Sequence, residues 1–286
     1  MELTGHNIQS RLTTDEPDPQ PDDAEQNAGA RDAQTAMPVW MSYLALVYLV
    51  MISAAEVLAN LVNPHAGIVL YGFVLVAFLV HSAASWRYPI HRLLLTLAFA
   101  PLIRLLSMSL PLARFPLLYW YLITSVPLYA AAVVITRVLK MDRRELGFVW
   151  GKPLTQLGIG LTGLAFGVIE YLILRPEPLV ESLSLGSVWL PALILVVSTG
   201  LAEELIFRAI MQRAAIGALG ASGIVYVAGL FAVLHLGYKS LADFVFVFIV
   251  ALFFGWAMQR TRSIVGITIA HGLTNVLLFL VMPFLV

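Results

Sequence analysis

Residues 188–214 read VWLPALILVVSTGLAEELIFRAIMQRA. Through Ala202 the run is continuously apolar, apart from the small hydroxyls of Ser198 and Thr199. It has neither the period-two alternation of a half-buried strand nor the polar face of a soluble amphipathic helix. About 20 such residues cross a bilayer as a helix, so the stretch reads as a membrane span. Glu203, Glu204 and Arg208 then sit within it. An ionisable side chain at the centre of a membrane helix costs at least ~2.5–3.5 kcal/mol on insertion scales, so each needs a reason to be there. Glu204 and Arg208 are four residues apart, share a helix face and can neutralise each other. Glu203 is turned by about 100° from Glu204 and faces a different neighbour. The pattern divides the labour: Glu204 and Arg208 form a structural ion pair, and Glu203 is left as the working carboxylate.

Working outward, similar runs lie near 39–62, 66–84, 92–112, 116–138, 154–174, 222–237, 241–260 and 263–285. With 188–214 they make nine, or eight if the short run 222–237 does not cross. The expected fold is an all-α polytopic bundle of eight to nine transmembrane helices. The composition agrees: 60% of the 286 residues are hydrophobic and 12% charged, against roughly 25% charged in a soluble domain. There is no cysteine, which removes disulfides, thiol nucleophiles and thiolate metal sites.

Charge is unevenly spread. Residues 1–38 hold eight acids against Arg11 and Arg31, a net of −6, in a segment rich in Pro, Asp and Gln. Such a segment is expected to be a disordered acidic tail. Loops after even-numbered spans carry ten basic residues, including Arg87, Arg92, Arg144, Lys152, Arg213 and Arg262, and loops after odd-numbered spans carry Arg114, Arg175 and Lys239. By the positive-inside rule this expects a cytoplasmic N-terminus, in an integral protein of the cell membrane. The expected organisation is a tail at 1–38, N-terminal transmembrane helices at 39–136, a cytoplasmic surface segment at 137–153 and a transmembrane domain at 154–286. The 137–153 segment mixes basic residues with Leu139, Leu146, Phe148 and Trp150, as a short surface helix would. Gly163 and Gly167 form a small-x-x-x-small pair suited to close helix packing.

Two further polar groups interrupt apolar runs: His235 at the end of FAVLH (231–235), and His271 with Asn275 in HGLTN (271–275). Taken singly, each has a structural reading, as a helix-end histidine or a pair of interhelical hydrogen bonds. Depth connects them. At about 1.5 Å per residue, Glu203 lies roughly 16 Å from the expected end of its span near 214. His235 lies roughly 20 Å from 222 and His271 roughly 12 Å from 263, so all fall in the middle of a core about 30 Å thick.

A carboxylate, two imidazoles and an amide at one depth can hydrolyse a peptide bond. Glu203 takes the proton from water, provided burial brings its basicity toward neutrality. His235 serves as its partner, orienting that water or passing the proton to the leaving amine. His271 and Asn275 donate to the developing oxyanion. A metal variant uses the same groups: Glu203, His235 and His271 would hold one divalent ion such as zinc and leave a position for water. The sequence contains no zinc-binding His-Glu-x-x-His helix, and direct activation by Glu203 is the reading followed here.

With Glu203-Glu204…Arg208, Phe231…His235 and His271…Asn275 in this order inside apolar spans, the sequence resembles the CPBP family of intramembrane proteases. That family includes type II CAAX prenyl endopeptidases and bacteriocin-processing, self-immunity and lysostaphin-resistance-like relatives. The resemblance covers about residues 150–286, with Glu145-Leu146-Gly147-Phe148 similar to a segment that often precedes this domain. It implies a membrane-embedded endopeptidase of glutamate-protease or metalloprotease type, with Glu203 catalytic and His235, His271 and Asn275 completing the site. It also implies a membrane protein or lipidated peptide as substrate, with CAAX-type processing one such reaction, and no nucleic-acid or nucleotide partner. Two other readings use the same residues. A non-catalytic immunity or chaperone protein of this fold would keep the motifs for packing. A proton-coupled transporter would use the buried Glu and His residues as a relay, with Glu56, Arg104 and Glu170, which are otherwise read as structural pairs or helix-end residues.

Overall fold

In the computed structural model the described residues are 39–286, and all their regular structure is helical. The acidic tail expected at 1–38 lies outside the described residues. The helices are α1 (Val39–Val57, continued by a π-helical stretch Leu58–Val62), α2 (Pro64–Ala84), α3 (Ile90–Ser109), α4 (Leu117–Val138), α5 (Pro153–Leu174), α6 (Leu185–Leu219), α7 (Ser222–Val233), α8 (Leu241–Thr261) and α9 (Val265–Phe284). All except α7 are long and apolar enough to cross a membrane, eight in number. The outer surface is as apolar as the interior: Phe73, Val76, Leu154 and Leu161 are all at least half exposed. Only lipid is a good solvent for such a surface. Trp86, Tyr88 and Trp150 are exposed near helix ends, where amphipathic rings meet the headgroup level. The chain is an integral membrane protein.

Three segments differ from the sequence expectation. Residues 139–152 form turns rather than a surface helix. Lys140, Gly147 and Gly151 take left-handed backbone conformations (φ 53°, 76° and 63°), which end helical propagation. Asp142 and Glu145 bond each other's backbone N–H across the turn, and the Gly147 carbonyl accepts the Ile264 N–H at 3.0 Å. The segment is thus fixed against the start of α9.

The span read at 188–214 is a 35-residue helix. At 1.5 Å per residue it is about 50 Å long, well beyond the hydrocarbon core. Its last turns carry Arg213 to Glu145, at 2.8 Å. The helix is not uniform: Val196–Leu201 and Glu204–Met211 are π-helical, a local widening that recurs at functional sites.

The run at 222–237 is a helix of only 12 residues, Ser222–Val233, followed by a single 3₁₀ turn at Leu236–Tyr238. At 1.5 Å per residue it stops after about 18 Å. Non-helical backbone at such a depth is tolerated where it lines a protein cavity, and the stop places His235 inside the bundle.

The densest packing is between α5 and α9. Gly160, Gly163 and Gly167 lie on one face of α5, and a Cβ on Gly163 would collide with the Ala270 carbonyl. A Cβ on Gly167 would lie 2.7 Å from the Thr274 carbonyl oxygen. The backbones therefore approach as closely as glycine allows, and Thr274 donates to the Gly163 carbonyl at 3.3 Å. Replacing Gly163 by Leu is expected to destabilise the protein by more than the ~1–3 kcal/mol typical of overpacking, because the obstacle is backbone. Gly158, whose Cβ direction is open, should accept Leu with little change. Thermal unfolding of the two purified variants in detergent checks this; similar losses for both would remove the close crossing as the cause.

Candidate active site

Each polar residue of the site is positioned by a different local device. Glu203 sits on α6 between the two π-helical stretches. One turn earlier, Gly200 lets α6 approach the backbone of α9: a Cβ there would lie 3.0 Å from the Gly272 nitrogen. This crossing brings His271 against the two glutamates. His271 Nδ1 is 2.7 Å from Glu204 Oε1, and since a carboxylate oxygen only accepts, that nitrogen carries the proton and donates. His271 Nε2 is then turned toward Glu203, 3.8 Å from Oε2.

Glu204 is completely buried, and its second oxygen lies 3.3 Å from Arg208 Nε. The pairing expected from the i,i+4 spacing is present, but Glu204 also orients a histidine. Arg208 is buried beside Phe231, with its guanidinium carbon 4.2 Å from the ring centroid, a cation–π arrangement. Its terminal amino groups have no hydrogen-bond partner among the described residues.

His235 follows the end of α7. Its Nδ1 donates to the Phe231 carbonyl at 2.8 Å, because a carbonyl cannot donate. In the neutral ring its Nε2 is then the unprotonated, accepting nitrogen. Asn275 is one turn beyond His271 and donates from Nδ2 to Thr199 Oγ1 on α6 at 2.8 Å. Thr199 in turn donates to the Leu195 carbonyl. One N–H of the amide is spent on this bond and the other remains.

Glu203, His235, His271 and Asn275 line one cavity of about 70 Å3, together with Tyr121, Glu170 and others. The side chain of Glu203 keeps 31% of its surface exposed, against none for Glu204. The structure thus brings together all four residues read from the sequence. It places His271, rather than His235, as the imidazole facing Glu203. Among the described residues no three His, Cys, Asp or Glu side chains are grouped to hold a metal ion. The set of Glu203, His235 and His271 considered for zinc is not among such groups.

Sequence reading missed two features. Glu170, read as a structural or helix-end residue, lines this cavity. Its signal was the spacing Gly163, Gly167, Glu170, which continues the face of α5 that meets α9. Arg104 was read as a structural pair and does bond Glu56, which also accepts from Tyr71 and from Asn60. It also donates to the Leu234 carbonyl, one residue before His235. No sequence spacing announces that contact, which joins residues 130 apart.

Residues 184–277 match the model of the family described as type II CAAX prenyl endopeptidase Rce1-like. The matched segment is about a third of the chain and contains Glu203, Glu204, Arg208, His235, His271 and Asn275. It bears out the resemblance read from the three motifs. Neither the curated proteins nor the solved structures compared with the chain gave a match.

Removing one partner of a buried pair leaves an uncompensated charge, which typically costs about 3–5 kcal/mol. Arg208→Ala should lose stability of that order. The double variant Glu204→Gln, Arg208→Met should lose less, because no charge is stranded and the Gln carbonyl still accepts from His271. Unfolding midpoints in detergent decide this; equal losses would mean that the pair's charge is not what holds α6.

Proposed function

With a domain of that family at residues 184–277, we propose that the chain is an intramembrane endopeptidase in which Glu203 activates water directly. The observation that carries this is the convergence of Glu203, His235, His271 and Asn275 on one cavity inside apolar helices. A buried carboxylate that is partly exposed to a cavity, beside a second carboxylate already neutralised, is what a general base in a membrane requires.

The roles follow from the hydrogen bonds. The His235 Nε2 accepts a hydrogen bond from the water and fixes its orientation. The Glu203 carboxylate takes one proton from that water as the oxygen attacks the substrate carbonyl carbon. His271, as an imidazolium holding Glu204 through Nδ1–H, offers its Nε2–H to the carbonyl oxygen together with the free N–H of Asn275, and the two stabilise its growing negative charge in a site of low dielectric. Glu203 then gives the proton to the leaving nitrogen. The C–N bond breaks, and water has been added as hydroxyl to carbon and hydrogen to nitrogen.

The substrate on this reading is a membrane-associated protein or peptide, with CAAX-type processing within its scope. We further propose that the N-terminus is cytoplasmic and that residues 139–152 lie on the cytoplasmic face. Arg92, Arg144, Arg213 and Arg262 line one cavity of about 620 Å3 at that end of the bundle, as the positive-inside rule expects of a cytoplasmic surface.

Two measurements test these statements. Terminus-selective mass spectrometry of membranes containing the wild type or Glu203→Gln, at equal abundance, should reveal new protein termini only with the wild type. Identical profiles with a well-folded variant would refute the peptidase and favour the immunity or transport readings. Because the chain lacks cysteine, single cysteines report topology cleanly. In intact cells a membrane-impermeant maleimide should label Glu181→Cys and spare Lys152→Cys, and the opposite pattern would invert the orientation.

A further inference from the structure

Among the described residues the buried carboxylates are paired except Glu170 and Asp243, and of these two Glu170 lines the cavity. Glu56 is taken by Arg104, and Glu204 by Arg208 and His271. Glu203 faces His271. Glu170 is 8% exposed, lines the same cavity as Glu203, and has no hydrogen-bond or ion-pair partner among the described residues. Asp243 is itself fully buried, with neither carboxylate oxygen hydrogen-bonded among the described residues.

The placement is not accidental to the fold. Gly163 and Gly167 press α5 onto Ala270 and Thr274 of α9. The next residue on that face is Glu170, three positions further, where the cavity opens between Thr274 and Leu278. The same glycine stripe that builds the α5–α9 contact therefore delivers a carboxylate to the wall of the site. Tyr121 and Phe279, 6.5 Å apart between centroids, also line it. Aromatic walls of this kind suit the aliphatic stem and cationic head of a basic side chain. Both Tyr121 and Glu170 lie outside the segment 184–277 that the family match covers.

We propose that Glu170 is a specificity-determining residue that pairs with a cationic side chain, Lys or Arg, close to the scissile bond of the substrate. The inference rests on the peptidase reading above. A negatively charged wall favours such a substrate and disfavours one whose free C-terminal carboxylate must lie beside it. The chain's own region, rather than the matched segment, thus sets its preference.

The test begins with the termini produced by the wild type, Glu170→Gln and Glu203→Gln in membranes, followed by cleavage of peptides copied from them by the full-length protein in lipid. Wild-type termini should show Lys or Arg at one fixed position within a few residues of the cut. Replacing that residue by norleucine should lower kcat/KM for the wild type by about 10- to 100-fold, the range of a charge-assisted hydrogen bond. Glu170→Gln should lose this discrimination while still cleaving the norleucine peptide, and Glu170→Lys should prefer Glu at that position. Termini without a basic residue, discrimination that survives Glu170→Gln, or loss of all cleavage in a well-folded Glu170→Gln would overturn the proposal while leaving the peptidase intact. Should Glu170→Gln fail to accumulate, the wild type's preference between the Lys and norleucine peptides decides alone. Unchanged termini in Glu203→Gln would instead mean that the peptidase reading itself has failed.

Discussion

Glu204 has no exposed surface, yet it holds Arg208 with one oxygen and the Nδ1–H of His271 with the other. In a medium of low dielectric a buried carboxylate without partners is too costly to keep charged. Supplying two partners fixes two helices at once, since Arg208 lies one turn along α6 and His271 comes from α9. The close crossing at Gly200 and Gly272 is what makes the second partner reachable. A larger residue at either position would push α9 away and strand Glu204. The neighbouring Glu203 is then the only one of the two adjacent carboxylates left facing the cavity, with an imidazole whose orientation is already set. The chemistry ascribed to Glu203 depends on the pairing of Glu204 with Arg208 and His271.

The helical stops serve the same end. The α7 helix would be a poor membrane span by itself, and in a soluble protein a chain turning back at that depth would need no comment. Here the early stop frees backbone at Leu234 and His235, and the protein must satisfy it internally. His235 bonds back to Phe231 and Arg104 donates to Leu234. Phe231 has three contacts with site groups: it accepts from His235, stacks under Arg208 and meets the ring of His271 edge-on at 6.3 Å. The Phe-x-x-x-His spacing is therefore a physical unit, with the aromatic as spacer between a cation and two imidazoles.

Much of this was legible in the sequence because membrane solvent makes exceptions conspicuous. Long apolar runs fix the class, and each ionisable residue within them asks for a partner. The i,i+4 rule gave Glu204 and Arg208 correctly, because that relation is local to one helix. It could not give His271 as the second partner of Glu204, nor separate the roles of the two histidines, since both depend on how α6, α7 and α9 cross. The π-helical stretches around Glu203 were equally hidden, since no periodicity of the sequence marks them. Where the expected surface helix at 137–153 failed, the cause was backbone. Three left-handed residues break a pattern that hydrophobic spacing alone suggested.

The first three helices, which the family match leaves uncovered, are tied into the site by one network. Glu56 from α1 receives Arg104 from α3, Tyr71 from α2 and Asn60 from the π-helical end of α1. A carboxylate so supplied has little capacity left for further chemistry, which argues against a relay through Glu56. Arg104 is the member that reaches outward, and it does so to the carbonyl before His235. Because guanidinium offers five donors in a rigid plane, it can satisfy Glu56 and the end of α7 together, where a lysine ammonium would have no such fixed geometry. The position of the His235 ring is thus set from two sides: by Phe231 in the last turn of α7, and by a charge network built from helices that contribute no site motif. The N-terminal half of the bundle supports the site rather than merely accompanying it.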